Sequence, residues 1–270
     1  ILYFLLFFSV SQSRASEFKF FKSGNIGLKA KVLASNLEYP WSFTFTPNAN
    51  VLLTEKSGRI KVLDNNFEIL YESIIGVPEV YFSGQAGLFD IALDPNYEKN
   101  PYIYFSYATK GKNGSALEMA RAKLVNNTLK DLQILFQAKP KSNSNRHFGG
   151  KIIFDDRGHV FLTNGDRGAR NEAQNNTNHI GSIVRLHHDG KTPTKNPFFK
   201  SKTAKREIYS FGHRNVQGAA IHPLTNEIWT NEHGPQGGDE LNIIFAGENY
   251  GWPIVTFGVN YGIGTKIGIG

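Results

Sequence analysis

The sequence predicts an all-β protein of the propeller type, and three observations carry that expectation. No long run places apolar residues at helical spacing. Short Val/Ile/Phe/Tyr-rich stretches, punctuated by Gly, Asn, Asp and Pro, recur along the whole chain. Four of these stretches also repeat one unit, an apolar strand, a tight polar turn and a second apolar strand.

The units are WSFTFTPNANVLLTE from Trp41, GLFDIALDPNYEKNPYIYFSYA from Gly87, GGKIIFDDRGHVFLTNGD from Gly149 and GAAIHPLTNEIWTNEHG from Gly218. Each turn holds Pro or Asp with Asn or Gly, as hairpin turns require. The turns at Pro47, Pro95, Asp156 and Pro223 recur at intervals of roughly 50 to 70 residues, the scale of propeller blades with loop insertions. A β-sandwich makes similar hairpins but does not call for one repeated unit. Four repeats predict four to five blades, and AKPKSNSN (138–145) reads as a loop between two of them.

The chain has 270 residues, 40% of them hydrophobic and 20% charged, which is ordinary globular composition. The absence of cysteine excludes disulfides and thiolate metal sites. The formal charge of +7 is spread along the chain, which reads as a solvated basic surface and not as a nucleic-acid site. An apolar run from Ile1 to Val10 precedes Ser13 and Ala15, small residues where a signal peptidase would cut. Residues 1–15 therefore read as an N-terminally incomplete signal peptide, the alternative being a buried first strand. The run is too short for stable membrane insertion, so export to the periplasm or beyond is expected.

The chemistry-bearing residues stand just ahead of the repeats. Gln85 lies in SGQAGLFD, His147 in NRHFGGK, and Arg214 with Asn215 in FGHRNVQG. Equivalent positions in successive blades converge on one end of a propeller axis, so these residues should meet around one pocket. His147 is the natural general base, with Gly149 and Gly150 letting another molecule approach. Arg214 is a fixed cation suited to a carboxylate or a developing oxyanion. His187 and His188 lack such a context and read as surface residues.

The stretch EHGPQGGDE (232–240) crowds carboxylates onto a Gly/Pro turn. Glu240, with Asp239, offers hard oxygen ligands, and the carbonyls of Gly234 and Pro235 offer more. That is either a Ca²⁺ site or a solvated acidic turn. Tyr250, in the irregular turn GENYGWP, could complete it through its backbone.

Together GQAGLFDIALDP, RHFGGKIIFD, FGHRNVQG and EHGPQGGDELNII…GENYGWP resemble the soluble PQQ-dependent aldose sugar dehydrogenases of the glucose/sorbosone dehydrogenase family. The likeness runs in order from about Leu37 to Tyr261. It implies a six-bladed β-propeller of which this chain covers part, with residues 16–270 as a C-terminally truncated sugar dehydrogenase domain. It implies PQQ and Ca²⁺ as cofactors and oxidation of an aldose at its anomeric hydroxyl to the lactone. His147 would be the base while hydride passes to the quinone. Gln85, Arg214 and Asn215 match cofactor-contacting positions. Gly234 and Pro235 match carbonyl ligands of a cofactor-bridging calcium, and Glu240 and Tyr250 match ligands of a second, structural one. The electron acceptor implied is a periplasmic quinone or cytochrome. Ser182 stands where the family pattern has Lys. Two other readings remain open: a calcium-dependent propeller lactonase, and a non-catalytic propeller that binds a protein or glycan.

Overall fold

The computed structural model describes residues 18–270, so the signal-peptide expectation lies outside the described residues. The chain divides into two compact units after Leu37. The first unit holds one antiparallel hairpin, β1 (Phe18–Ser23) and β2 (Ile26–Lys31), turned at Gly24 in the left-handed region.

The second unit, Glu38–Gly270, carries four antiparallel sheets in chain order. The first holds β3 (Pro40–Phe45), β4 (Val51–Glu55), β5 (Arg59–Leu63) and β6 (Ile69–Tyr71). The second holds β7 (Leu88–Leu93), β8 (Tyr102–Gly111), β9 (Gly114–Val125) and β10 (Thr128–Gln137). The third holds β11 (Gly149–Phe154), β12 (His159–Asn164), β13 (Ser182–His187) and β14 (Ile208–Phe211). The fourth holds β15 (Val216–Ile221), β16 (Ile228–Glu232) and β17 (Glu240–Ile244). Each predicted strand–turn–strand unit forms the first two strands of one sheet. The only helical turn described is a short 3₁₀ segment, Arg170–Gln174.

Each sheet pairs its own strands in sequence, so successive sheets meet only through their faces. One apolar cluster joins the first and second sheets through Leu52, Ile60, Leu88 and Phe105. Another joins the second and third through Phe89, Tyr104, Phe148 and Leu162, and a third joins Ile153 and Phe161 to Ile228 and Ile244. This is the propeller-like arrangement. It explains why β4 and β8 read as continuous apolar runs without polar alternation: both of their faces are covered.

A buried hydroxyl marks every step from one sheet to the next. Thr54 on β4 donates to the carbonyl of Phe89 on β7 (2.6 Å), Ser106 on β8 to Gly150 on β11, and Thr163 on β12 to Val216 on β15 (2.9 Å). Each hydroxyl also accepts an N–H from the first strand of its own sheet: Ser42 (3.0 Å), Asp90 (3.2 Å) and Lys151 (3.0 Å). Those strands have a register shift at this place, which frees the N–H from the ladder. On β16 the corresponding place is held by Asn231; Thr230 lies one residue further in, opposite Ala219, and its buried hydroxyl has no partner among the described residues. Buried Asp90 adds a second tie: it accepts from Ser42 of the first sheet and, in the third, from the Ile152 N–H (2.8 Å) and Lys151 Nζ (3.0 Å).

Removing one of these hydroxyls strands a buried carbonyl and a buried N–H together. Thr163→Val is expected to cost about 1–3 kcal/mol of unfolding free energy in urea, while Thr46→Val in an exposed turn changes little.

Candidate functional site

The loops that enter the second, third and fourth sheets open onto one cavity of about 530 Å³. Its walls include Gln85, Arg146, His147, Arg214, Asn215, Gly234 and Pro235. Of the residues singled out in the sequence as catalytic, cofactor-binding or calcium-binding, Gln85, His147, Arg214, Asn215, Gly234, Pro235 and Asp239 thus converge, although they span the chain from the second repeat to the fourth.

His147 is half-buried, with its backbone in the left-handed region (φ 49°). A bulky residue adopts that conformation only where its surroundings impose it. Here Gln85 Oε1 accepts the His147 N–H (2.7 Å), and a Cβ added to Gly165 would lie 2.2 Å from the His147 carbonyl oxygen. Gly149 and Gly150 serve packing, contrary to the expectation that they admit a ligand. A Cβ there would meet the Thr163 carbonyl at 2.7 Å and the Phe89 ring at 3.0 Å.

The imidazole Nδ1 lies 2.6 Å from Oδ1 of buried Asp166. That oxygen also accepts the Gly168 N–H (2.7 Å), while Oδ2 accepts the Trp252 indole N–H (2.7 Å). A carboxylate surrounded by donors stays an acceptor, so it holds the proton on Nδ1 and leaves Nε2 with a free lone pair.

Arg214 is buried, donates from Nη1 to the His233 carbonyl (3.0 Å) and lies 5.4 Å from the Trp252 ring. Asn215 Oδ1 accepts the Gly149 N–H (3.1 Å), leaving its amide donors available. Glu232 fixes this segment from below the strand end. Its Oε1 accepts the N–H groups of Arg214 and Asn215, and its Oε2 lies 3.0 Å from His213 Nδ1.

Asp166, Glu232 and Trp252 were not picked out from the sequence. A signal was there: a buried carboxylate stands at or just after the end of the second strand in three of the four repeats, as Glu55, Asp166 and Glu232. Trp252 is buried and also hydrogen-bonded into the site. Of the two histidines taken as surface, His187 is exposed. His188 is half-buried instead, 3.6 Å from Asp94 and edge-on to Phe154, and its burial lowers its pKa.

The loop 234–238 suits a hard cation. A Cβ on Gly234 would lie 2.3 Å from the carbonyl oxygens of both Gly237 and Gly238, so main-chain oxygens crowd this turn, and Asp239 Oδ1 accepts the Gly234 N–H (2.8 Å). Glu240 and Tyr250 lie away from the cavity wall. Glu240 stands opposite Glu232 in the β16–β17 register, and Tyr250 stacks on His213 at 4.7 Å. Burial, then the charge of Glu232, raises the pKa of the Glu240 carboxyl against an opposing hydrogen bond from Asn242. The Tyr250 hydroxyl is already engaged, donating to the Ile243 carbonyl (2.7 Å) and accepting from the Phe245 N–H (2.8 Å). Any ligand role for Tyr250 therefore falls to its main chain. Among the described residues no group of three or more His, Asp or Glu side chains is placed to hold one ion.

A cavity lined by a histidine held from behind by a buried carboxylate, a buried arginine and a carbonyl-rich loop, on a propeller-like stack of sheets, defines a class of ligand-binding propeller. The chain belongs to the glucose/sorbosone dehydrogenase family, whose model matches residues 37–270. It is 38% identical over 238 residues to aldose sugar dehydrogenase YliI of Escherichia coli (strain K12), a match covering 87% of this chain and 64% of that protein. The chain thus spans less than two thirds of that relative's length. The crystal structure of the soluble Escherichia coli aldose sugar dehydrogenase in its apo form superimposes with a TM-score of 0.84 at 37% identity, over 87% of this chain and 69% of that one. The PQQ-bound aldose sugar dehydrogenase of Streptomyces coelicolor gives 0.70 at 27% identity, over 93% and 70%.

The Asp166 contact predicts a tautomer that can be seen directly. Nitrogen-15 NMR of the His147 ring is expected to show the proton on Nδ1 in the native chain. Asp166→Asn, which can turn an amide donor toward the ring, should move the proton to Nε2.

Proposed function

We propose that this chain carries the site of a PQQ- and calcium-dependent aldose dehydrogenase, which oxidises the anomeric hydroxyl of a sugar to the lactone. The observation that carries the reading is that His147, its ring held by buried Asp166, shares one cavity with buried Arg214. Family membership and the PQQ-bound neighbour support it.

Bound here, PQQ would supply the two-electron acceptor, and calcium would supply Lewis acidity against it. Arg214, the free amide groups of Gln85 and Asn215, and the oxygens of the 234–238 loop would hold the pair. His147 Nε2 accepts the proton of the anomeric hydroxyl. Asp166 keeps the ring in the accepting tautomer and stabilises the imidazolium once it forms. Gln85 and Gly165 hold the base in its left-handed conformation, so little reorganisation is left for the reacting step. Glu240 and the main chain at Tyr250 would serve a structural calcium. The protein would work in the periplasm or outside the cell, passing electrons to a quinone or cytochrome. In keeping with that, no helix among the described residues is long and apolar enough to cross a membrane.

The test is reduction of an artificial dye by the purified chain with PQQ, Ca²⁺ and a panel of aldoses. Turnover is expected to need all three, and His147→Ala should lower kcat by about 10²–10⁴-fold. Failure of every aldose with PQQ demonstrably bound would defeat the reading.

The calcium assignment has its own readout. A carboxyl whose folded pKa is raised stabilises the fold at low pH and loses that contribution as pH rises toward neutrality. Without calcium, Glu240→Gln should therefore raise Tm at pH 7 and leave it little changed at pH 4. Calcium should raise the native Tm at pH 7, and the variant should lose that response.

A further inference from the structure

The cavity holds one arginine that the proposed chemistry leaves unused. Arg146 immediately precedes His147, lines the same cavity and is exposed. Its guanidinium makes no ion pair or hydrogen bond among the described residues, although all three other arginines close to the site in sequence or space are engaged. Arg214 donates to His233, Arg170 to Asn260, and Arg167 is consumed by structure. Arg167 stacks 3.5 Å over the Phe148 ring and donates to the Ser115 hydroxyl and the carbonyls of Ser115, Ser144 and Arg146. Burial lowers its pKa to about 10.

These bonds make the Arg146 backbone rigid. Its carbonyl accepts from Arg167 Nε (2.9 Å) and its N–H donates to Ser144 Oγ (3.2 Å). A long cation is thus tethered at a fixed point beside the base, with its five donors free. The charge balance of the wall sharpens this. Its fixed cations are Arg146 and Arg214. Its one carboxylate is Asp239, whose Oδ1 is already turned to the Gly234 N–H. Among the described residues Asp239 makes no ion pair with Arg146.

We propose that Arg146 is a specificity residue that selects anionic aldoses, those carrying a carboxylate or phosphate on the far side of the ring from the anomeric carbon. The proposal rests on the sugar-oxidation reading and names the substrate class of that site. Arg146 and His147 line the same cavity, so a sugar held with its anomeric hydroxyl at His147 Nε2 leaves its other substituents for the guanidinium. A planar five-donor fork matches a carboxylate or phosphate bidentately, whereas a neutral sugar offers it only hydroxyls. The oxidised carbon is the same in either case, so the selection lies in binding and orientation.

The experiment compares D-glucuronate, D-glucose 6-phosphate and D-glucose on the native chain, Arg146→Gln and Arg146→Lys. Binding to the cofactor-free chain is read by NMR titration, PQQ binding by its absorbance, and kcat/KM by dye reduction. The native chain is expected to favour at least one anionic sugar over glucose by about tenfold or more, with the preference shrinking as salt rises. Arg146→Gln should erase that ratio, and Arg146→Lys should keep part of it. The two anionic probes separate carboxylate from phosphate as the group recognised. Equal affinity and equal kcat/KM for charged and neutral sugars in the native chain would overturn the proposal. So would an Arg146→Gln variant that weakens PQQ binding and keeps the sugar ratio, which would assign the arginine to the cofactor. A chain that binds glucuronate through Arg146 but oxidises no sugar would defeat the oxidation reading and leave the charge selection standing.

Discussion

The site depends on one buried carboxylate. Asp166 takes hydrogen bonds from the His147 ring, the Gly168 N–H and the Trp252 indole, so a single side chain ties the loop before the third sheet, the turn after β12 and a segment 86 residues further on. An uncompensated carboxylate in this position would be expensive, and three donors at 2.6–2.7 Å are what make its burial tolerable. The same three bonds fix the imidazole tautomer, so the condition for burying the charge is also the condition for orienting the His147 ring. Glu232 repeats the arrangement one sheet later, holding the backbone of Arg214 and Asn215.

The fold was readable because its repeated unit is local. Each strand–turn–strand stretch carries its own turn chemistry, and a run such as VLLTE or YIYFSYA announces burial on both faces. Gln85, His147, Arg214 and Asn215 were readable for the same reason, since each stands one to three residues ahead of a first strand. The partners were not. Asp166 lies 19 residues from His147, in an NGD stretch indistinguishable from a polar turn, and the roles of Glu232 and Trp252 exist only once separate sheets are side by side. The glycines after His147 were misread for a related reason. A sequence shows that a side chain is missing but not which neighbour fills the place, and here Thr163 and Phe89 fill it.

The two arginines around His147 show how context divides one residue type. Arg167 is surrounded by carbonyls and hydroxyls and serves as a clamp on the loop 144–148. Arg146, one residue inside that clamp, has its backbone held and its charge left free. Rigidity at the first is what gives the second a defined position, so a structural cation and a recognition cation act as a pair without touching through their charges.

The hydroxyls that step from sheet to sheet bear on precision. His147 enters the third sheet and Arg214 the fourth, and the Thr163 hydroxyl bonds to the carbonyl of Val216, two residues beyond Arg214. Gln85 and His147 are related in the same way through Ser106 and Gly150. The spacing of groups around the cavity is therefore a chain of dimensions, each joint contributing its own tolerance, and an error at one joint is carried into every later one. A cavity assembled like this is most exact between neighbouring sheets. It follows that the residues which must agree most closely in position belong on loops one step apart, as Gln85 with His147 and His147 with Arg214 do.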